Sequence, residues 1–194
     1  MGHGEFIELL KSNRVVAAVK DLDSLEGAIK SRCQIVFILH GDIVNIPRIV
    51  SNLKDACKLV LVHIDLIDGL SSRDVAVDYI AKNTRADGII STRPNIVKCA
   101  KSYDLLTVQR FFVLDSLALN NIGKQLSNTV DAIEILPGVI PKIIKTLTAC
   151  IGKPIIAGGL INDKEDIINA FNAGASAISS SNQKIWLMAQ GNIH

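Results

Sequence analysis

The sequence predicts a (β/α)8 barrel, and two observations carry that prediction. Eight short, apolar runs rich in β-branched residues recur along the chain: VVAAV at 15–19, IVFIL at 35–39, LVLVHI at 59–64, DGIIS at 87–91, LLTVQRF at 105–111, DAIEIL at 131–136, PIIAG at 154–158 and SAISSS at 176–181. A stretch with helix-like spacing follows each run, and polar or charged residues gather where the runs end. Regular strand–helix alternation builds a parallel sheet. Eight such units close into a barrel that places ligand chemistry at the C-terminal ends of its strands. Composition agrees: 48% of residues are hydrophobic and only 4% aromatic, giving the aliphatic core that strands buried on both faces require. At 194 residues the barrel must have short loops, and residues 1–194 read as a single domain with no inserted second one.

The elements follow in order. Met1–Gly4 reads as a loose end, and Phe6–Leu10 as a helical turn able to plug the lower mouth before Val15. Leu22–Lys30 reads as the helix after the first strand, with Asp23 and Glu26 as a capping box. Asn45 and Pro47 open the next helix, because proline is tolerated in a first turn where its missing N–H is not needed. Ser72–Asn83 follows the third run; Pro94 and Pro141 start the helices after the fourth and sixth. Asp115–Leu126 is rich in apolar residues and is expected to pack broadly. Asn162 or Asp163 caps a helix that stops at Ala173-Gly174, and Gln183–Gln190, with the only tryptophan, Trp186, closes the barrel.

Charge and cysteine usage narrow the classes. Twenty-one basic against 19 acidic residues leave +2, which is no global electrostatic footprint for nucleic acid but does not exclude a local one. Cys33, Cys57, Cys99 and Cys150 are widely separated, without a metal or redox pair, and read as small buried residues of a reducing, cytoplasmic protein. The N-terminus lacks a basic segment followed by an apolar one, and no apolar run approaches the ~18 residues of a membrane span. No cofactor motif, P-loop, nucleophile elbow or firm metal set is present.

The strand ends carry the chemistry. Gly158 and Gly159 let the backbone approach a ligand, and Ser179, Ser180 and Ser181 add donors ahead of a helix N-terminus. Loops after strands seven and eight hold phosphate in many barrels. The plainer reading is a tight turn and a helix cap. His63 and Asp65, two apart at the end of strand three, fall on one strand face. Glu134, between Ile133 and Ile135, points into the barrel, where a carboxylate needs a partner: Lys20, Arg110 or a ligand hydroxyl. The alternative is a buried ion pair of Glu134 with Arg110 or Lys20 and no ligand. His40 lies at a strand end, and Arg93 could reach a phosphate or sit in solvent. As an enzyme, the chain could use Lys20 for a Schiff base or His63, Asp65 and Glu134 for a loose metal site. A binding protein answering to a protein partner is a third class.

The strings VHIDLIDGL at 62–70, DGIISTRPNIVKCAK at 87–101, TVQRFFVLDSLAL at 107–119, IEILPGVIPKII at 133–144 and PIIAGGLI at 154–161 together resemble the glycerol-3-phosphate-responsive antiterminators, regulators of glycerol-uptake operons. The resemblance runs from about Val15 to Trp186. It implies a cytoplasmic, non-enzymatic barrel that senses glycerol 3-phosphate and acts on an mRNA leader so that transcription passes a terminator. At matching positions, Gly158, Gly159, Ser180 and Ser181 are assigned to phosphate. His63, Asp65, Arg110 and Glu134 are assigned to the glycerol end. RNA is the partner with least sequence support. There is no aromatic RNA-binding signature, and Lys142, Lys145 and Lys153 read as a solvated face in preference to a nucleic-acid patch. An RNA surface made by a homo-oligomer, or by ordering of Ser91–Asn95 and Phe111–Ser116, is the expectation.

Overall fold

In the computed structural model, which describes residues 2–71 and 73–188, the eight runs form a closed, all-parallel barrel with strands in sequence order. The strands are β1 Val15–Val19, β2 Ile35–Ile38, β3 Leu59–His63, β4 Gly88–Ser91, β5 Leu106–Phe112, β6 Ala132–Leu136, β7 Ile155–Gly158 and β8 Ala177–Ser180. Helix α1, His3–Ser12, precedes the barrel. Seven helices connect successive strands: α2 Leu22–Lys30, α3 Ile46–Asp55, α4 Asp74–Asn83, α5 Pro94–Lys101, α6 Ser116–Gln125, α7 Pro141–Cys150 and α8 Lys164–Asn172. Gln183–Met188, α9, follows β8. The fold class is as the sequence predicts. Ser72, expected to start α4, and residues 189 and 190, expected to end α9, lie outside the described residues.

Period-two alternation sorts each strand into two cores. Val15, Ala17, Val36, Ile38, Val60, Val62, Ile133 and Ile135 face the helices, where Leu25, Ile49, Leu53, Ile80, Val97 and Ile144 meet them. Val16, Ile35, Phe37, Leu61, Ile90, Val108, Ala132, Ile156 and Ala177 fill the interior. Phe6 and Leu10 of α1 join that interior cluster, so the predicted plug is present. The lower half of the barrel is thus solid hydrocarbon.

Several local expectations need correcting. Residues 2–4 are no loose end, and Met1 lies outside the described residues: α1 starts at His3, whose Nδ1 lies 2.6 Å from Oδ1 of Asp131 at the base of β6. Asp131 also receives Lys101 Nζ and the Thr107 N–H at 2.7 Å. The cap of α2 is Asp21 rather than Asp23; its carboxylate accepts from Ser24 N at 2.8 Å while Ser24 Oγ accepts from Asp21 N. Among the cysteines only Cys33 is buried; Cys57 and Cys150 are exposed and Cys99 is partly covered. Helix α6 does not pack broadly, burying only Ile122 fully whereas α3 buries four residues. Leu119 packs partly against the helix-facing core, while Leu117 is exposed. Asp163, one of two candidates, caps α8 through Asp166 N.

Candidate functional site: the upper barrel mouth

Above the hydrocarbon the interior turns polar. The β5–β6 register sets Arg110 beside Glu134, and β7–β8 sets Gly158 beside Ser179. Arg110 Nε donates to Glu134 Oε2 at 2.6 Å, and Ser179 Oγ donates to Oε1 at 2.5 Å. Glu134 is 1% exposed and Arg110 6%, so this is a buried pair needing good geometry to repay its desolvation. Of the candidate partners for Glu134, the structure selects Arg110. Lys20 is exposed beyond β1 and does not reach the carboxylate. A Cβ on Gly158 would stand 2.6 Å from Ser179 Oγ and 2.7 Å from Glu134 Oε1. Gly158 therefore makes room for a charge cluster, a role different from the close ligand approach expected of it.

His63 ends β3 and is almost completely buried, with Nδ1 lacking any hydrogen-bond partner among the described residues. Burial pushes its pKa down to about 3; the nearby Arg110 charge acts in the same direction, and Asp65 opposes it. The imidazole is neutral at pH 7. Asp65 does not share a strand face with it, because the strand breaks into a 3-10 turn at Ile64–Leu66. Its carboxylate turns instead to the end of β4, accepting from Ser91 Oγ at 2.9 Å, Thr92 N at 2.7 Å and Thr92 Oγ1 at 3.0 Å. Asp65 thereby clamps two loops together, and Glu134 is committed to Arg110 and Ser179. The three groups weighed as metal ligands do not converge, and no such cluster occurs among the described residues. His40 is half-buried with Nε2 unpartnered, and Arg93 is exposed.

A cavity of about 150 Å³ opens above this cluster. Ala18, Arg110 and Glu134 line it together with Gly159–Asn162 after β7 and Ser179–Asn182 after β8. That volume equals roughly five waters at ~30 Å³ each, enough for a small polyol but not a nucleotide. The hydroxyls divide by role. Ser179 is spent on Glu134; Ser180 donates to Ile161 O and accepts from Asn182 N, both at 3.1 Å; Ser181 is exposed to solvent at the rim. Trp186 Nε1 donates to Ser180 O at 2.7 Å and so pins the serine loop. Gly159 and Leu160 adopt left-handed φ values of 75° and 62°. For leucine this costs about 1–2 kcal/mol, a local strain held in place by its surroundings. Among the described residues, the backbone N–H groups of Gly159, Leu160, Ile161 and Ser181 have no protein acceptor, leaving donors for an anion.

Sequence reasoning missed Leu160, Asn162, Asn182 and Trp186. Asn162 carried only a helix-cap signal, Asn182 was not singled out, and nothing in a sequence marks Leu160 as left-handed. The fold and site define a closed barrel with a small polar cavity at the C-terminal strand ends, floored by a buried Arg–Glu pair. Comparison with known proteins makes this specific. The chain belongs to the glycerol-3-phosphate responsive antiterminator family, whose profile matches residues 15–186. It is 43% identical over 185 residues to the uncharacterized Escherichia coli K12 protein YgcP, covering 95% of this chain and 97% of that one. It is also similar to the glycerol uptake operon antiterminator regulatory protein from Listeria monocytogenes, with TM-score 0.84 and 33% identity over 89% of this chain and 94% of that one. A glycerol uptake operon antiterminator-related protein from Thermotoga maritima gives 0.79 and 34%, covering 90% and 98%.

Proposed function

We propose that this chain senses glycerol 3-phosphate in the upper-mouth cavity and that the liganded form acts on an mRNA leader to prevent termination, without catalysing a reaction. The observation that carries the reading is the division of the cavity into two chemistries. One side offers backbone N–H donors at Gly159–Ile161 and Ser181, suited to phosphate oxygens. The floor offers Arg110 and Glu134, already neutralised by each other, with neutral His63 beneath the mouth. A neutralised pair offers a phosphate no net positive charge, while its remaining carboxylate lone pairs and guanidinium N–H groups suit hydroxyls. The ligand is therefore oriented with its glycerol end inward and its phosphate at the rim.

Of the enzymatic alternatives, Schiff-base chemistry through Lys20 is disfavoured by where the lysines lie. A Schiff-base lysine must be desolvated inside the barrel. Lys20 is exposed, and Lys58, the buried lysine among the described residues, lies at the opposite end, where Nζ donates to Ser31 O at 2.6 Å and Cys33 O at 3.1 Å at the end of α2. No helix among the described residues is long and apolar enough to cross a membrane; we place the protein in the cytoplasm, where its ligand and leader transcript would meet. Calorimetric titration with glycerol 3-phosphate, glycerol and inorganic phosphate tests the sensing step. Selective, saturable heat with glycerol 3-phosphate and no product by phosphate or carbonyl assay is the expected result. Turnover, or equal affinity for inorganic phosphate, would overturn it.

A further inference from the structure

The α6–α7 sector differs from the remainder of the surface in charge and in cover. Between Leu105 and Lys153 the acidic residues are Asp115, Asp131 and Glu134, and each is engaged within the protein. Asp115 caps α6 through Ala118 N, Asp131 holds Lys101 and His3, and Glu134 holds Arg110. Lys124, Lys142 and Lys145 in the same stretch are exposed, and none forms an ion pair among the described residues. Asp115 is itself exposed, so the sector sets three exposed lysines against one exposed carboxylate and is net positive, although the chain as a whole is nearly balanced.

The same sector exposes apolar rings and leucines. Phe112 is 52% exposed, Leu114 83% and Leu117 68%. Helix α6 stands between two cavities. One, about 390 Å³, is lined by Phe112 with Thr92, Leu117, Asn121 and Gln125; the other, about 310 Å³, by Leu114, Ile140, Lys142 and Thr146. Protein–protein interfaces are depleted in lysine at their centres. Sites for unpaired nucleic acid combine an aromatic platform, amide groups for base edges and a positive track for phosphates. Phe112, Asn121 and Gln125 line one cavity and Lys142 the other across α6, with Asp115 in both, and this combination of ring, amides and lysine fits the second description. Arg110 lines both the 390 Å³ cavity and the upper-mouth cavity, so the two share a wall.

We propose that the α6–α7 sector is the docking surface for unpaired RNA, with a base seated on Phe112 and backbone phosphates against Lys142 and Lys145. This rests on the RNA half of the function proposed above and names its surface. The shared Arg110 wall gives ligand occupancy a route to that surface, and α6, held by a single fully buried side chain, is the element free to respond.

The test is fluorescence-anisotropy titration of the full chain with a labelled, random-sequence single-stranded RNA pool, with and without saturating glycerol 3-phosphate. Phe112→Ser should weaken binding about tenfold or more through lost stacking. Lys142→Gln and Lys145→Gln should each flatten the dependence of log affinity on log salt by about 0.7. Lys30→Gln, on α2, is the distant control and should change neither. Calorimetric affinity for glycerol 3-phosphate should stay within about twofold in all four variants. RNA binding that survives Phe112→Ser and both lysine changes overturns this surface while leaving the function reading intact. Absence of RNA binding by the unaltered protein overturns the surface and the RNA half of that reading together, and the calorimetry still reports the sensing half. Conversion of a dimer to monomers by Leu114→Ser or Phe112→Ser, with RNA affinity untouched, makes the sector a protein interface and overturns the proposal.

Discussion

The two ends of the barrel interior are built from the same eight strands and do opposite things. Below, Val16, Ile35, Phe37, Leu61, Val108 and Ile156 close on Phe6 and Leu10 in an unbroken hydrocarbon layer. One step further along the same strands, the inward positions become His63, Arg110, Glu134, Gly158 and Ser179. A close-packed layer fixes the strand positions. The polar layer borrows that rigidity to hold charges at separations that would not persist on a mobile loop. Stability is concentrated at one end, and ligand chemistry at the other.

The comparison breaks most visibly by substitution in each layer. Phe37→Ala in the lower layer should cost about 3–5 kcal/mol in urea unfolding and leave ligand selectivity unchanged. Arg110→Met should cost a similar amount for a different reason, since it leaves the Glu134 carboxylate buried without a counter-charge. Adding Glu134→Gln to Arg110→Met should restore much of that loss while ligand binding stays impaired. If the double variant is no more stable than Arg110→Met, the charge account of the upper layer is wrong.

Next in size is Gly159→Asp. It puts a carboxylate at the donor-lined rim and a side chain at φ 75°. Calorimetry should show at least about a hundredfold loss of glycerol 3-phosphate affinity, roughly 2.7 kcal/mol, with the unfolding midpoint lowered by only about 1–2 kcal/mol of strain. Full binding by a folded variant would remove phosphate from the rim.

A smaller effect sharpens the electrostatic side. An unfolded histidine takes its proton near pH 6.5, whereas His63 in the barrel resists until about 3. Between those values the unfolded state binds a proton that the native state refuses, so stability falls as pH drops, by about 1.4 kcal/mol per pH unit. Asp131 is held low as well: burial alone would raise its pKa, but Lys101, the Thr107 N–H and His3 together outweigh it. Its contribution, present at neutral pH, is lost only as pH falls through that lowered pKa, below the ordinary carboxylate range. Denaturant titrations between about pH 4.5 and 6 therefore isolate the histidine, and His63→Gln should flatten the slope. An unchanged slope would contradict a neutral His63. Smallest of all is Leu117→Ser on α6, expected to shift stability by no more than about 0.5 kcal/mol because the side chain is mostly exposed.

The barrel was legible because its strands are buried on both faces and six of its helices, α2, α3 and α5 to α8, start at prolines or acidic caps. Glu134 was legible too: an acid between two isoleucines can only face inward once those isoleucines meet the helices. What sequence could not reveal was continuity of the strands. Asp65 was assigned by strand alternation, and the 3-10 turn at Ile64–Leu66 redirected it to Ser91 and Thr92. Lys20 was a chemically sensible partner for Glu134 but sits one residue past β1, outside the interior. Gly158 signalled close approach correctly, although what approaches is Ser179 and Glu134. These three site misses concern side chains at the last residue of a strand or within two residues beyond it, where register no longer dictates direction.

The most direct measurement is a crystal structure of the protein soaked with glycerol 3-phosphate. The account predicts phosphate density against the backbone of Gly159–Ile161 and Ser181, with the glycerol hydroxyls directed toward Glu134 and Arg110. Phosphate seated on Arg110 with the hydroxyls at the rim, or ligand bound outside the upper-mouth cavity, would contradict it.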